Sequence, residues 1–300
     1  MRWMESPLEV RREVVEFFTR HTELSAWERP KLDGVHFESF MEVENVGVVS
    51  PSEASEIEEV VKGNDGNRSP NTDEFNLAFF KEFWHLLNNK IRIFFDPFHA
   101  KEIVPRGLLA YFVTRIPKIN SPMELKDFRL VSLLGCTNKL LSKVLSRRLA
   151  KFMDLIISFS QSAFIKGRNL IDRVLVVDEL VNFAKKAKKE CLILKVDFEK
   201  AYDSVDWGFW EYMLNMMGFW AKWVWWIKTC VFGGTMSILV NGSPTEEINI
   251  QRGLKQGDPL APFSFLLVAE GFSGLMRNVV HLKLFEGFRF KRDGLEISHL

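Results

Sequence analysis

Three hundred residues suffice for one large domain or two smaller ones, and an apolar fraction of 47%, with 27 Phe and 9 Trp, excludes a disordered chain. Cys136, Cys191 and Cys230 are odd in number and far apart, and the six histidines share no metal-ligand spacing with them, which excludes a disulfide framework and a zinc site and favours reduced intracellular thiols. The net charge of +1 hides an asymmetry: residues 1–74 carry 17 Asp and Glu against 8 Lys and Arg, so the rest of the chain is basic. A basic body is compatible with a polyanionic partner, although ordinary solvated charge explains it as simply. The N-terminus, MRWMESPLEVRREVVEFF, is too charged for a signal peptide, and no apolar run reads as long enough to span a bilayer. A soluble chain is expected.

Residues 1–30 read as an amphipathic helical leader, with Val10, Val14, Phe17, Phe18 and Leu24 near helical spacing. A second helix begins at a Ser52 or Ser55 cap and stops at Gly63, and the turn formers of GNDGNRSPN follow as a linker. Residues 75–87 return to helix, with Phe75, Phe79, Phe80, Phe83, Trp84 and Leu87 on one face. YFVTRIPK (111–118) and FRLVSLLGC (128–136) read as strands. The helix TNKLLSKVLSRRLAKFMDLII carries Lys139, Lys143, Arg147 and Lys151 every four residues opposite its apolar face. Such a stripe either tracks a phosphate backbone or is the wet side of the helix. A helix over 170–187, a strand over 192–198 and a helix over 205–217 stopped by Gly218 come next. Two strands, TMSILVNG and EEINIQRG, then lead through LKQGDP into a long apolar helix, and a hairpin around Asp293-Gly294 ends the chain. Strands and helices that alternate with adjacent hairpins indicate an α+β or α/β protein.

Two stretches carry chemistry. In LILKVDF (192–198) an aspartate, Asp197, closes an apolar strand; a buried carboxylate is costly unless hydrogen-bonded, paired or bound to a cation, and a strand end presents oxygens well to Mg2+. The competing use of such an acid, capping the next helix, fits Asp203, Ser204 and Asp206 better, so Asp197 is the functional candidate and Asp203 and Asp206 read as structural. In QRGLKQGDPLAPF, Gly257 permits close backbone approach, Arg252 and Lys255 add positive charge, Gln256 offers an amide, and Pro259 stands near the start of a helix. Alone, this stretch is a helix cap.

Together, KVDFEKAYDSVDW and QRGLKQGDPLAPF closely resemble the reverse transcriptase of LINE-type non-LTR retrotransposons, in the version common in plant genomes. FNLAFFKEFW, IPK, DFRLVSLLGCTNKLLSKVLSRRL, QSAFIKGRN and LVNGSPTEE fall in the family's order, so the resemblance spans about residues 68–300. It implies an α+β right-hand polymerase fold with an acidic helical leader over 1–67, fingers over 68–190, a partial palm over 191–300 and no thumb. The implied activity is RNA-directed DNA polymerisation with two Mg2+ ions, on an RNA template, a DNA primer and dNTPs. Asp197 and the carbonyl of Phe198 would bind metal; Tyr202 would exclude a 2′-hydroxyl; Gln256 and Gly257 would lie beneath the nucleotide and template base. Lys118 and Arg129 would hold the triphosphate, and Gln161, Lys166 and Arg168 would run along the template.

The chain departs from the family at three places. No Tyr-Ala-Asp-Asp stretch, the source of the family's remaining metal-binding acids, occurs in the sequence; NTDE (71–74) replaces a Gly-Pro-Asp-Gly turn; and Leu130 replaces a proline beside Arg129. The expectation is therefore a polymerase module that is inactive alone. The alternatives are a remnant that binds nucleic acid without catalysis, or a structural or interaction protein. Localisation is nuclear by family analogy only, no membrane is involved, and the oligomeric state is open.

Overall fold

The computed structural model describes residues 6–24, 27–63, 73, 75–198, 200–290 and 296–299. Helix α1 (Pro7–Thr22) opens with proline at its first position, where the missing N–H costs nothing, and buries Val14 and Phe18 one turn apart. Helices α2 (Glu42–Val49), α3 (Ala54–Lys62), α4 (Leu77–Glu82), α5 (Trp84–Lys101) and the single turn α6 (Arg106–Leu109) follow. Strand β1 (Tyr111–Pro117) pairs antiparallel with β2 (Phe128–Leu133), from Phe112 opposite Leu133 to Pro117 opposite Phe128. Asp127 shapes the turn between them by accepting from the Met123 and Glu124 amides at 3.0 and 2.9 Å, and those bonds hold its carboxyl below the usual range. The chain then runs through α7 (Cys136–Ala150), α8 (Met153–Ile156), α9 (Leu170–Ala187), α10 (Trp207–Met216) and α11 (Ala221–Phe232). Strand β3 (Thr235–Val240) returns parallel to β1, and the short β4 (Ser243–Pro244) and β5 (Ile248–Asn249) both fold back on β3. Helix α12 (Ala261–His281) and a separate hairpin of β6 (Phe288–Arg289) and β7 (Glu296–Ile297) close the order. A helical block between parallel strands is the connection that geometry requires. The fold is a mixed α+β one, as the sequence predicts.

Two hydrophobic cores divide the work. The larger packs α7, α10, α11 and α12 with α3 and α5 around Leu140, Leu145, Trp210, Trp223 and Leu266. The smaller is the sheet face of Tyr111, Val113, Met236 and Ile238 covered by Val14 and Phe18 of α1. Arg148, on buried α7, is the polar tie between the leader and the helical core. Its guanidinium pairs with both Glu56 oxygens at 2.7 and 2.6 Å and donates to the carbonyls of Val48 and Pro51 at 3.0 and 3.1 Å. Saturating a buried guanidinium in this way is what makes its burial tolerable.

Several elements differ from expectation. The apolar segment 192–198 forms no strand, and its side chains are exposed, Leu192 by 94% and Leu194 by 83%. A strand exists only where another strand supplies hydrogen bonds, and among the described residues none lies alongside it. The helix expected over 75–87 starts at Leu77 and is broken at Phe83, after which α5 begins at Trp84 and runs on to Lys101. Neither Ser52 nor Ser55 caps α3, whose N-cap is Glu53. Pro259 stands before the long helix, which starts at Ala261 with Pro262 as its early proline. Helix α12 is long and apolar enough to cross a membrane by length and composition, which the sequence reading did not anticipate. Its Leu266, Leu267 and Gly271 face is buried within the chain's own core. Asp293 and Gly294 lie outside the described residues, but the strands flanking them pair as expected.

Candidate active site

The two motif stretches, fifty residues apart, are hydrogen-bonded to one another. The Gly253 amide donates to the Val205 carbonyl at 2.8 Å, the Leu254 amide to Tyr202 at 2.9 Å, and the Trp207 indole N–H to the Gly253 carbonyl at 2.9 Å. Gly253 has φ +93°, and a Cβ there would stand 3.0 Å from the Asp203 carbonyl, so only glycine lets the two segments approach. The loop then crosses to β2, where the Ser132 amide donates to the Gln256 carbonyl at 2.8 Å. Gly257 follows at φ +103°.

Buried charge anchors this loop from below. Lys255 is 3% exposed; its ammonium donates to the carbonyls of Cys230 and Gly233 at 2.9 and 2.8 Å and lies 4.9 Å from the Tyr111 ring centroid. Burial brings its pKa down to about 8, opposed by the Asp258 charge. Asp258, also buried, accepts from the Leu260 amide at 2.8 Å and the Ser142 hydroxyl at 3.4 Å, and burial pushes its carboxyl up against the pull of Lys255.

Above these anchors opens a cleft of about 900 Å³. Lys118, Lys126 and Arg129 of the β1–β2 hairpin form one wall, Lys200, Tyr202 and Asp203 another, and Gln256 and Gly257 the floor. The Tyr202 ring stacks on Phe265 at 5.4 Å, and burial raises its hydroxyl pKa, keeping it a neutral phenol. Four cationic side chains on a half-open cleft make a natural seat for phosphates. Thus Lys118, Arg129, Tyr202, Gln256 and Gly257, five of the residues singled out from sequence, meet in one place.

The others stand elsewhere. Asp197 and Phe198 are exposed and do not line the cleft. Lys166 is exposed, whereas Arg168 is engaged with Asp154 at 2.7 Å and the carbonyls of Gln161 and Ile157 at 2.7 and 2.8 Å, which shapes the loop holding Gln161. That loop reaches the cleft through Phe164. Asp206 caps α10, accepting from the Phe209 amide at 2.8 Å, as its position suggests. Asp203, read from sequence as structural, instead faces the cleft and accepts from the Gln256 side chain at 3.1 Å. Phe17, Phe18 and His21 of α1 form a third wall that no local pattern announces. Among the described residues, no three His, Cys, Asp or Glu side chains gather as a metal site. One carboxylate on an exposed segment does not fit a two-metal centre.

A family model for reverse transcriptase (RNA-dependent DNA polymerase) matches residues 116–286, and the chain belongs to that family. Relatives that it matches include proteins of transposable elements, and it carries the reverse-transcriptase domain of the LINE-type, non-LTR kind. It is 28% identical over 76% of its length to the transposon TX1 uncharacterized 149 kDa protein of Xenopus laevis, covering 17% of that protein. It is 29% identical over 52% of its length to the Pol polyprotein of the type-2 retrotransposable element R2DM of Drosophila melanogaster, covering 14%. It is 27% identical over 56% of its length to the Pol polyprotein of the type-1 element R2 of Popillia japonica, covering 23%. The chain thus spans less than a quarter of each of these relatives.

Proposed function

We propose that this chain contributes the nucleotide-binding cleft of an RNA-directed DNA polymerase, with a leader over 1–67, fingers over 68–190 and part of the palm over 191–300. The observation that carries the reading is the meeting of Lys118 and Arg129 with Tyr202, Gln256 and Gly257 around one cleft. Lys118 supplies a point charge and Arg129 a bidentate fork for the triphosphate of a dNTP. Tyr202, stacked and neutral, stands against the sugar, where it crowds a 2′-hydroxyl. Gln256 and the close-approaching Gly257 support the base paired to an RNA template, and Gln161 and Lys166 line the template's path on a loop that Arg168 holds in shape. The family uses Mg2+, but Asp197 and the Phe198 carbonyl, the residues that the resemblance assigns to it, stand on an exposed segment outside the cleft and do not by themselves fit a two-metal centre.

A second reading, a chain that binds nucleic acid without extending a primer, is favoured by one observation: among the described residues Asp197 belongs to no group of three or more His, Cys, Asp or Glu side chains that could hold a metal ion. Primer extension on an RNA template with dNTPs and Mg2+ separates the two. We expect no extension by the 300-residue chain alone, together with dNTP and RNA binding that Lys118→Ala and Arg129→Ala weaken. Extension that Asp197→Asn abolishes would establish catalysis. Absence of both dNTP and RNA binding at low salt would sink both readings.

A further inference from the structure

We infer that His21, on the leader helix, is a positioning residue for Gln256 and acts through Asp203. The inference deepens the nucleotide-cleft reading and rests on it. The His21 Nε2 stands 3.8 Å from Asp203 Oδ2, both side chains being less than a fifth exposed. The other oxygen of the same carboxylate, Oδ1, accepts from Gln256 Nε2 at 3.1 Å. Three side chains from three distant parts of the sequence are therefore linked in series through one carboxylate, ending on Gln256 at the cleft.

The chemistry of the line fixes a direction. A carboxylate only accepts, so the Gln256 amide must turn its NH2 to Asp203. A flipped amide would set oxygen against oxygen beside a negative charge. The Gln256 Oε1 has no hydrogen-bond partner among the described residues and is left to the cleft as an acceptor. The ligand group it selects is a hydrogen-bond donor, such as a hydroxyl of a sugar or an exocyclic amine of a base.

Asp203 keeps its place because His21 keeps its own. The Arg252 guanidinium donates to the His21 carbonyl at 3.1 and 2.8 Å, and the His21 ring stacks on Phe17 at 5.9 Å with an interplanar angle of 6°. The end of α1 is tied to the same loop twice more: the Gln251 amide donates to Thr22 at 3.1 Å, and the Leu24 amide to the Gln251 side chain at 3.0 Å. Val14 and Phe18 seat the helix in the smaller core. The leader is thus a wall of the cleft, fastened to the loop that carries Gln256.

The test uses the full chain and two readouts. The first is the side-chain amide resonance pair of Gln256, assigned by its loss in Gln256→Ala. His21→Ala should shift or broaden that pair, and His21→Gln, which retains a polar side chain with N–H groups to offer Asp203, should restore it. Should His21→Ala not fold, as judged by its thermal transition, His21→Phe, which keeps the ring stacked on Phe17 but offers Asp203 no polar atom, provides the same test, and Asp203→Asn separately tests the link from Asp203 to Gln256. The second readout is dTTP binding, which His21→Ala should weaken about tenfold. An unchanged Gln256 pair in a folded His21→Ala, His21→Phe or Asp203→Asn chain overturns the inference, even if dTTP binding falls. If the wild-type chain binds no dTTP, the nucleotide reading fails, while the amide resonances still decide whether His21 orients Gln256.

Discussion

At the scale of single residues, Lys255 and Asn138 are both buried and polar, and the fold treats them oppositely. Lys255 has two carbonyls and an aromatic face for its ammonium, yet desolvation still lowers its pKa to about 8. A lysine whose folded pKa lies below its unfolded value binds fewer protons when folded, so its penalty is fully present below about pH 8. That penalty is relieved as pH rises towards the unfolded value of about 10.4, a change of roughly 3 kcal/mol. Burial raises the pKa of Tyr111 and Cys230, whose contributions run the other way in the same alkaline range, so the comparison must be differential. Urea unfolding of wild type and Lys255→Met from pH 7 to 10.5 should show the gap moving in favour of wild type; parallel curves would mean that Lys255 is not desolvated. Asn138 is 1% exposed and, among the described residues, has no partner for either amide atom, although it borders a cavity of about 250 Å³ with Thr137 and Ser237. An unsatisfied buried amide costs about 1–3 kcal/mol, so Asn138→Leu should stabilise the chain by an amount in that range. A lowered melting temperature would instead show that waters in the cavity complete the amide's bonds.

At the scale of elements, the segment 192–198 separates what a sequence specifies from what a neighbour must supply. Its composition is that of a buried strand, but Leu192 and Leu194 are 94% and 83% exposed. Replacing both with lysine should change stability by less than about 0.5 kcal/mol, where truncating a buried leucine costs about 2–5 kcal/mol. The same change should reduce self-association measured by light scattering, because an apolar stretch with unpaired backbone is a template for strand addition. A loss of several kcal/mol would place the segment in a core. Elements whose signal is local were legible. Val14 and Phe18 on α1, the apolar face of α7 and the Gly218 stop of α10 all follow from spacing and a helix-ending glycine. Helix α11 was not, since AKWVWWIKTCVF is apolar nearly all round and has no periodic contrast. The departure of Asp203 from the structural role it was expected to share with Asp206 has the same origin: both acids suit a helix start, and only the arrival of Gln256 from another segment decides which faces the cleft.

At the scale of the whole molecule, the site was legible where ordered sequence blocks carry it and illegible where distant packing completes it. The residues from Lys118 to Gly257 lie in motifs, whereas His21 meets Arg252 across 231 positions through no shared pattern. The same packing makes the acidic leader part of the field that a polyanion meets. The net charge of +1 understates the attraction, because the cations of the cleft are concentrated around it, three of the four on one wall, while leader acids such as Glu16, Glu38, Glu42 and Glu59 are dispersed and exposed. Single-strand binding loses about 0.7 in the slope of log affinity against log salt for each phosphate contact removed. Titrating a short RNA into the chain from 50 to 200 mM salt, we expect Lys118→Ala with Arg129→Ala to make that slope shallower by roughly 1–2. Converting the four leader glutamates to glutamine should raise affinity at low salt and leave the number of phosphate contacts unchanged, so its curve should converge on that of wild type as screening shortens the reach of the leader's charge. A slope unaltered by the double alanine variant would mean that nucleic acid does not enter by this wall. The cations of the cleft would then serve the triphosphate alone.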